Sequence, residues 1–276
     1  MKGNSKVRIA WYGKHFGEEP PLVGGVGQGA GGIFFSGCNL RCIFCQNKQI
    51  SQENFGKDYT VAELAQVMLD LQNQGAVNID LVTPTIWWLE IKQAIILARE
   101  KGLHIPIVWN SNGYEAVEIL KELDGLVDIY LPDFKYSDDE LAWKYSGVRK
   151  YREMAIAAIK EMYRQVGLFT ENGGVGVSGL IVRHLVLPGA VANSVGVLEE
   201  VAKVDPQIHI ALMNQYTPLY GGKDVTEINR TVTREEFANV YDKLLDLGFS
   251  HGWVQDEESQ GVLVPDFRKG DPFVYN

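Results

Sequence analysis

Short apolar runs alternate along this chain with segments whose apolar residues recur at helical spacing. The run "GIFFSG" (Gly32–Gly37) reads as a buried strand. "TVAELAQVMLDLQNQG" reads as a helix, with Thr60 as N-cap, Glu63 completing a capping box and Gly75 as the stop. "NIDLVTPT" is a strand that ends at Thr83–Pro84. "WLEIKQAIILAREKG" is a helix with Ile91, Ala94, Ile95 and Ala98 on one face. The alternation continues through strand "IPIVWNSNG", helix "AVEILKEL", strand "VDIYLPDFK" and a long helix from about Glu153 to Val166. Strand "LIVRHLVLPG", helix "SVGVLEEVAKV" and strand "IHIALMNQYTP" follow. "TREEFANVYDKLLDLG" closes the series with a second capping box, Thr233 and Glu236.

These are six strand–helix units whose strands are nearly continuous apolar runs, the pattern of a parallel sheet covered by helices. The expected fold class is α/β, a partial TIM-type (β/α)6 barrel with parallel strands. The expected division is an N-terminal extension over residues 1–31, a barrel over 32–250 and a C-terminal tail over 251–276 lying on the barrel. Both ends read as irregular. Each strand runs into a polar cluster, and α/β folds gather their sites at the C-terminal strand ends. One rim built from six loops is therefore expected.

Composition narrows the function classes. The 276 residues carry a net charge of −9, and no Lys/Arg-rich run appears, which argues against nucleic acid as a partner. No window is apolar enough to span a membrane, and "MKGNSKVRIAWYGKHFG" lacks the apolar core of a signal peptide. All three cysteines fall in "FFSGCNLRCIFCQN", at Cys38, Cys42 and Cys45. Three clustered cysteines make no disulfide framework, so the expected compartment is the reducing cytoplasm.

The spacing is C-x3-C-x2-C. Structural zinc wants four ligands, and the five histidines are scattered. Cysteines that only pack a core do not crowd into eight residues. A [4Fe–4S] cluster usually takes four thiolates, so three would leave one iron open. With Phe44 before the third cysteine, and a strand before the first, the motif resembles that of the radical S-adenosylmethionine (SAM) superfamily. The resemblance implies a [4Fe–4S] cluster on Cys38, Cys42 and Cys45, with SAM on the open iron. It implies reductive cleavage of SAM to a 5′-deoxyadenosyl radical, which abstracts a hydrogen atom from a substrate. An electron donor such as flavodoxin or ferredoxin would be the redox partner.

Over roughly residues 15 to 220 the chain is similar to the activating enzymes of pyruvate formate-lyase and their relatives. That resemblance nominates SAM-binding residues on the rim: Phe44, Thr83, Pro84, Thr85, Asn110, Asn112, Asp133, Lys135, Arg183, Gln215 and Tyr216, with Asn214 a further polar candidate. Thr83-Pro84-Thr85 stands where the family often has Gly-Gly-Glu. Asn110 stands where the activating enzyme has an Asp that serves a monovalent cation site. Asp133 and Lys135 match an Asp-x-Lys whose side chains share one face of a strand. Arg183 sits in a very apolar run and is expected to point into the barrel toward a carboxylate. A family histidine near Thr217 is missing. His184 alternates to the other face and reads as a core histidine.

Two further signals change little. Gly27, Gly29 and Gly32 form a GxGxxG, but it precedes a strand, so the dinucleotide fingerprint fails. "HFGEEPPL" (residues 15–22) has too few ligands for a metal site and resembles the N-termini of the activating enzyme's relatives. It is a candidate to lie over the rim. Trp87 and Trp88 read as helix-start packing. The missing fourth cysteine excludes an auxiliary cysteine-ligated cluster. The expected substrate is a glycine of a partner protein, with a small molecule or peptide as the alternative. A non-enzymatic iron–sulfur electron carrier is the alternative from another class.

Overall fold

The computed structural model describes residues 5–255 and 264–273. The chain runs β1 (Lys6–His15), α1 (Pro20–Val23), β2 (Ala30–Phe35), α2 (Lys48–Ser51), β3 (Lys57–Thr60), α3 (Val61–Asn73), β4 (Ile79–Val82), α4 (Trp88–Glu100), β5 (Ile107–Ser111) and α5 (Val117–Glu122). It continues with β6 (Ile129–Pro132), α6 (Asp139–Ser146), α7 (Tyr151–Val166), β7 (Thr170–Asn172), β8 (Val175–Leu185), α8 (Val191–Val204), β9 (His209–Met213), α9 (Arg234–Asp246) and β10 (Gly252–Val254).

The six expected strands are β2, β4, β5, β6, β8 and β9, hydrogen-bonded in that order and all parallel. This is the partial TIM-type barrel. Both expected capping boxes form: Thr60 and Glu63 open α3, and Thr233 and Glu236 open α9. Among the described residues, no helix is long and apolar enough to cross a membrane.

The chain ends depart from expectation. Residues 6–15 are not irregular: β1 pairs antiparallel with the free edge of β2, and β3 pairs antiparallel with β1. The alternation Val7, Ile9 against Lys6, Arg8 puts one face of β1 into the core. β10 adds a parallel strand beyond β9. Part of the expected tail, residues 256–263 and 274–276, lies outside the described residues.

Strand alternation separates two cores. Outward side chains such as Leu81, Trp109 and Val182 pack under the helices. Inward ones, including Val108, Ile129, Leu131 and Ile181, fill the lower barrel, and Leu22 of α1 joins them with no exposed surface. Burying that leucine contributes about 1.5–3 kcal/mol. The N-terminal segment thus enters the barrel and helps to form its floor.

Candidate active site

β2 delivers the chain to Gly37, whose φ of 87° turns it into the cysteine loop. Backbone bonds from Arg41 N–H to Ser146 O (3.0 Å) and from Ile43 N–H to Tyr145 O (2.9 Å) pin the loop to the end of α6. The Cys38 sulfur accepts from Leu40 N–H (3.4 Å) and Asn112 Nδ2 (3.3 Å). Cys42 Sγ lies 3.0 Å from Ser146 Oγ, and Cys45 Sγ 3.3 Å from Ser51 Oγ. All three thiols are free and border one cavity of about 330 Å3. Burial pushes each upward, Cys42 to about 12. Thiolates here need adjacent positive charge.

This donor set can be tested against the expected cluster. Among the described residues, no three His, Cys, Asp or Glu side chains are arranged to hold a single metal ion. Three thiols spread around a cavity do fit an iron–sulfur cluster, in which each thiolate meets a different iron and the iron charge offsets thiolate desolvation.

The rim residues divide. Thr83, Asn110, Asn112, Asp133, Lys135 and Gln215 border the cavity, as does Phe44, whose ring packs edge-on against Tyr216. Thr83 has φ 59°, uncommon for a β-branched residue, and its N–H is held by Asn110 O at 2.9 Å. Asn112 also donates to Asn39 Oδ1 at 2.6 Å, so its amide organises the cysteine loop. At Gly113 a Cβ would meet Asp133 O at 2.1 Å, so only glycine permits this approach of neighbouring strand ends. Tyr151 locks the same place: its hydroxyl lies 2.8 Å from Asn112 O and 2.9 Å from Asp133 O, and accepts from Lys135 N–H at 3.0 Å. Lys135 Nζ lies 2.5 Å from Asp133 Oδ2. Burial opposes the Lys135 charge, but Asp133 and Cys42 outweigh it and raise its pKa.

Three nominated residues lie away from this cavity. Thr85 is buried with its hydroxyl donating to Glu115 Oε1 at 2.7 Å. Pro84 is turned into the short 3-10 segment ahead of α4 and does not border the cavity. Tyr216 is buried and donates to Ile228 O at 2.8 Å. The neighbouring Asn214 is also buried, with its N–H held by Gln255 Oε1 at 3.1 Å. His184 is the core histidine expected: Nδ1–H donates to Phe134 O (2.7 Å), Nε2 accepts from Ser194 Oγ (2.8 Å), and burial lowers its pKa to about 4. Trp87 Nε1 donates to Ser36 O at 2.8 Å.

Arg183 does point inward, but its carboxylates come from the chain itself. Its Nε and Nη2 clasp Glu19 at 2.8 and 2.6 Å, and Nη2 also donates to Glu18. Nη1 reaches Asn110 Oδ1 at 3.4 Å. The other end of the Asn110 amide donates to Asp80 Oδ2 (3.4 Å) and Glu18 Oε2 (3.5 Å). An amide at 110 therefore offers an acceptor to the cation and a donor to the acids, where an Asp would add one more carboxylate. Glu18 is also 3.3 Å from His15 Nε2. Burial disfavours its charge, but Arg183 and His15 prevail and hold its carboxyl far below the usual range. Asp80 is driven the other way, by burial first and then by the Glu18 charge.

The segment over residues 15–22 thus does not lie over the rim; it forms the cavity's inner end. Glu18 and Glu19 carry no local signal for this role, because their partner is 164 or more residues away. The second unexpected contributor is the segment 264–273. Gln49, just after the cysteines, bonds Asp266 Oδ1 (3.0 Å) and Phe267 N–H (2.7 Å). Phe273 then reaches the cavity, its ring 4.2 Å from His15.

Residues 33–186 match the family model of the Radical SAM superfamily. An uncharacterised protein of Methanocaldococcus jannaschii is 32% identical over 248 residues, covering 85% of this chain and 67% of that protein. Pyruvate formate-lyase 1-activating enzyme of Escherichia coli K12 is 22% identical over 161 residues, 56% of this chain and 60% of that enzyme. The match thus spans about two thirds of the first relative's own length and 60% of the second's. In fold it is similar to Streptococcus suis SuiB bound to precursor peptide SuiA. The TM-score is 0.55 at 12% identity, over 80% of this chain and 47% of that one.

Proposed function

The chain belongs to the radical SAM superfamily and is an enzyme, and from that premise we propose that it activates a small-molecule substrate by hydrogen-atom abstraction in the cavity bordered by Cys38, Cys42 and Cys45. Membership implies a [4Fe–4S] cluster and SAM. When bound, these supply a 5′-deoxyadenosyl radical on receipt of one electron. The observation that carries the reading is the convergence of three cysteine thiols, the Asp133–Lys135 pair and the inner acidic network on one cavity.

Cys38, Cys42 and Cys45 would hold the cluster. Asn112, donating to Cys38, and Ser146 and Ser51, beside Cys42 and Cys45, would orient the sulfurs. Lys135 would give SAM's carboxylate a counter-charge, with Asp133 fixing its ammonium. Thr83, Asn110, Gln215 and Phe44 would contact SAM or substrate. Glu18, Glu19 and Pro20 close the cavity at its inner end and Phe273 borders it, a lining that suits a small molecule. The second reading, a glycine of a partner protein, is favoured by the similarity to the activating enzyme. A flavodoxin- or ferredoxin-type donor in the reducing cytoplasm would supply the electron.

The test is anaerobic reconstitution followed by electron paramagnetic resonance of the reduced protein with and without SAM. About four iron atoms per chain and a spectrum altered by SAM are expected. Full iron loading with a spectrum indifferent to SAM would contradict the proposal.

A further inference from the structure

The outer side of the cysteine loop carries charge of the opposite sign to the chain as a whole. The net charge is −9, yet Arg41, Lys144, Arg149 and Lys150 are all exposed at the C-terminal end of α6 and the turn after it. Local bonds join them. Arg41 N–H donates to Ser146 O at 3.0 Å, and a Cβ on Gly147 would lie 3.8 Å from that of Arg41. Asn39 Nδ2 donates to Tyr114 O at 2.7 Å, and the Tyr114 hydroxyl donates to Arg149 O at 3.1 Å, so the turn is tied to the same loop. Two carboxylates answer the four cations: Glu227 on Lys144 at 2.8 Å and Glu153 on Lys150 at 3.7 Å, both in solvated pairs that contribute little. Arg41 and Arg149 make no ion pair among the described residues. Arg149 lies instead over the ring of Trp143, its Cζ 4.4 Å from the centroid, and that indole is 51% exposed.

A helix C-terminus attracts a cation on its own account, which explains Lys144. It does not explain Arg41, brought in from the cysteine loop, or Arg149 and Lys150 beyond the helix. Lys150 holds φ 56°, a region that favours glycine, so the turn itself does not call for a lysine. The acids of α6, Asp139 and Glu140, lie at its other end with the capping Asp138. The basic surface is one layer outside Cys42. Cys42 Sγ is 3.0 Å from Ser146 Oγ, and both chain neighbours of Cys42, Arg41 and Ile43, bond the end of α6. None of Arg41, Trp143, Lys144, Arg149 and Lys150 borders the cavity, so a protein seated here leaves the cavity open.

We propose that this surface docks an acidic flavodoxin-type electron donor, a protein whose flavin edge is apolar and ringed by carboxylates. The proposal deepens the proposed function and rests on it for the use of the electron. The chain as a whole repels an acidic protein, so a local reversal of charge selects where and how it lands. Trp143 meets the apolar flavin edge and the four cations meet the carboxylates around it. Arg and Trp are also the residue types that dominate binding energy at protein interfaces. One electron leaves the reduced flavin and is taken up by the group that Cys38, Cys42 and Cys45 hold; no bond forms between the two proteins.

The experiment is calorimetric titration of the full chain with a purified acidic flavodoxin at about 50 and about 300 mM sodium chloride. It is run with and without the reconstituted cluster. Binding is expected at the lower salt and should be about tenfold weaker at the higher. Arg149→Glu/Lys150→Glu should retain the circular dichroism of the parent and bind at least about tenfold more weakly at low salt. Trp143→Ala should weaken binding at both salt concentrations. Lys101→Glu/Lys160→Glu makes the same charge change at exposed positions elsewhere and should stay within about twofold of the parent. On the reconstituted protein, 5′-deoxyadenosine formation driven by reduced flavodoxin should fall in Arg149→Glu/Lys150→Glu, while formation driven by dithionite stays at the parent's level. Parent-like flavodoxin binding by Arg149→Glu/Lys150→Glu would overturn the proposal, as would an equal loss in Lys101→Glu/Lys160→Glu. Equal affinity for α-lactalbumin, an acidic protein without a redox group, or tighter binding of an acidic ferredoxin would overturn it too. If dithionite yields no 5′-deoxyadenosine from the parent, the radical reading fails, while the binding read without the cluster still decides this one.

Discussion

Arg183 on β8 and Glu19 on the N-terminal segment form a two-point ion pair, Nε to Oε1 at 2.8 Å and Nη2 to Oε2 at 2.6 Å. The pair ties a segment preceding the barrel's first parallel strand to its fifth strand, inside the barrel. Arg183→Met removes the cation from two buried carboxylates and is expected to cost about 3–5 kcal/mol of stability in urea titration. Arg183→Lys should recover only part of it, because an ammonium does not reproduce the two-point geometry. A loss below 1 kcal/mol in the Met variant would show that the segment is not held by this pair.

The pH dependence of stability isolates Asp80. Its pKa in the fold lies above its unfolded value, so its contribution is full below about pH 3.9 and is lost as pH rises toward the folded value. Glu18 has the opposite sign: its contribution is present above the ordinary glutamate value and is lost on acidification. Asp80→Asn should therefore gain stability relative to the parent as pH increases from about 4, by up to about 1.4 kcal/mol per pH unit. Denaturation midpoints at pH 4, 6 and 8 check it. A difference that is flat across this window, or that shrinks with pH, would contradict it.

Thr83 is a β-branched residue at φ 59°. Thr83→Gly should raise stability by about 1 kcal/mol, since glycine reaches this region without steric cost. Because its side chain borders the cavity, the same change should weaken SAM binding. Thermal unfolding and a SAM titration together read the trade; a stabilised variant with unchanged SAM affinity would leave Thr83 no role in the site.

Tyr151→Phe leaves Lys135 N–H without its acceptor at the buried join of two strand ends, at an expected cost of about 1–3 kcal/mol. As a positioning residue it should also raise the KM for SAM more than it lowers kcat. An unchanged KM would confine its role to packing.

The six parallel strands were legible because strands buried on both faces are continuous apolar runs, and "GIFFSG" and "IPIVWNSNG" need no long-range information to be recognised. The cysteine triad was legible for a similar reason, since its spacing is local. β1 has a readable alternation at Val7 and Ile9, but a register shift between Ile9 and Trp11 breaks the period, and a glycine-rich stretch follows. The helix α6 also had a local signal, Asp138 capping Glu140 N–H at 2.8 Å, ahead of a short amphipathic run. Glu18, Glu19 and Asp80 are different. Sequence predicts that Arg183, placed in an apolar strand, needs a carboxylate, but not which one; the fold answers with residues more than 160 positions away. Thr85 and Tyr216 were nominated by position in a motif, and local turns carry both hydroxyls to internal acceptors instead.

In the proposed function, Cys38, Cys42 and Cys45 support SAM cleavage in this cavity. Its most direct test is 5′-deoxyadenosine formation by the anaerobically reconstituted, chemically reduced protein after SAM is added. 5′-Deoxyadenosine is expected from the parent chain and none from Cys42→Ala, which should also lose the iron–sulfur absorption. A parent chain with a full cluster that releases no 5′-deoxyadenosine, or a Cys42→Ala variant that releases as much as the parent, would contradict it.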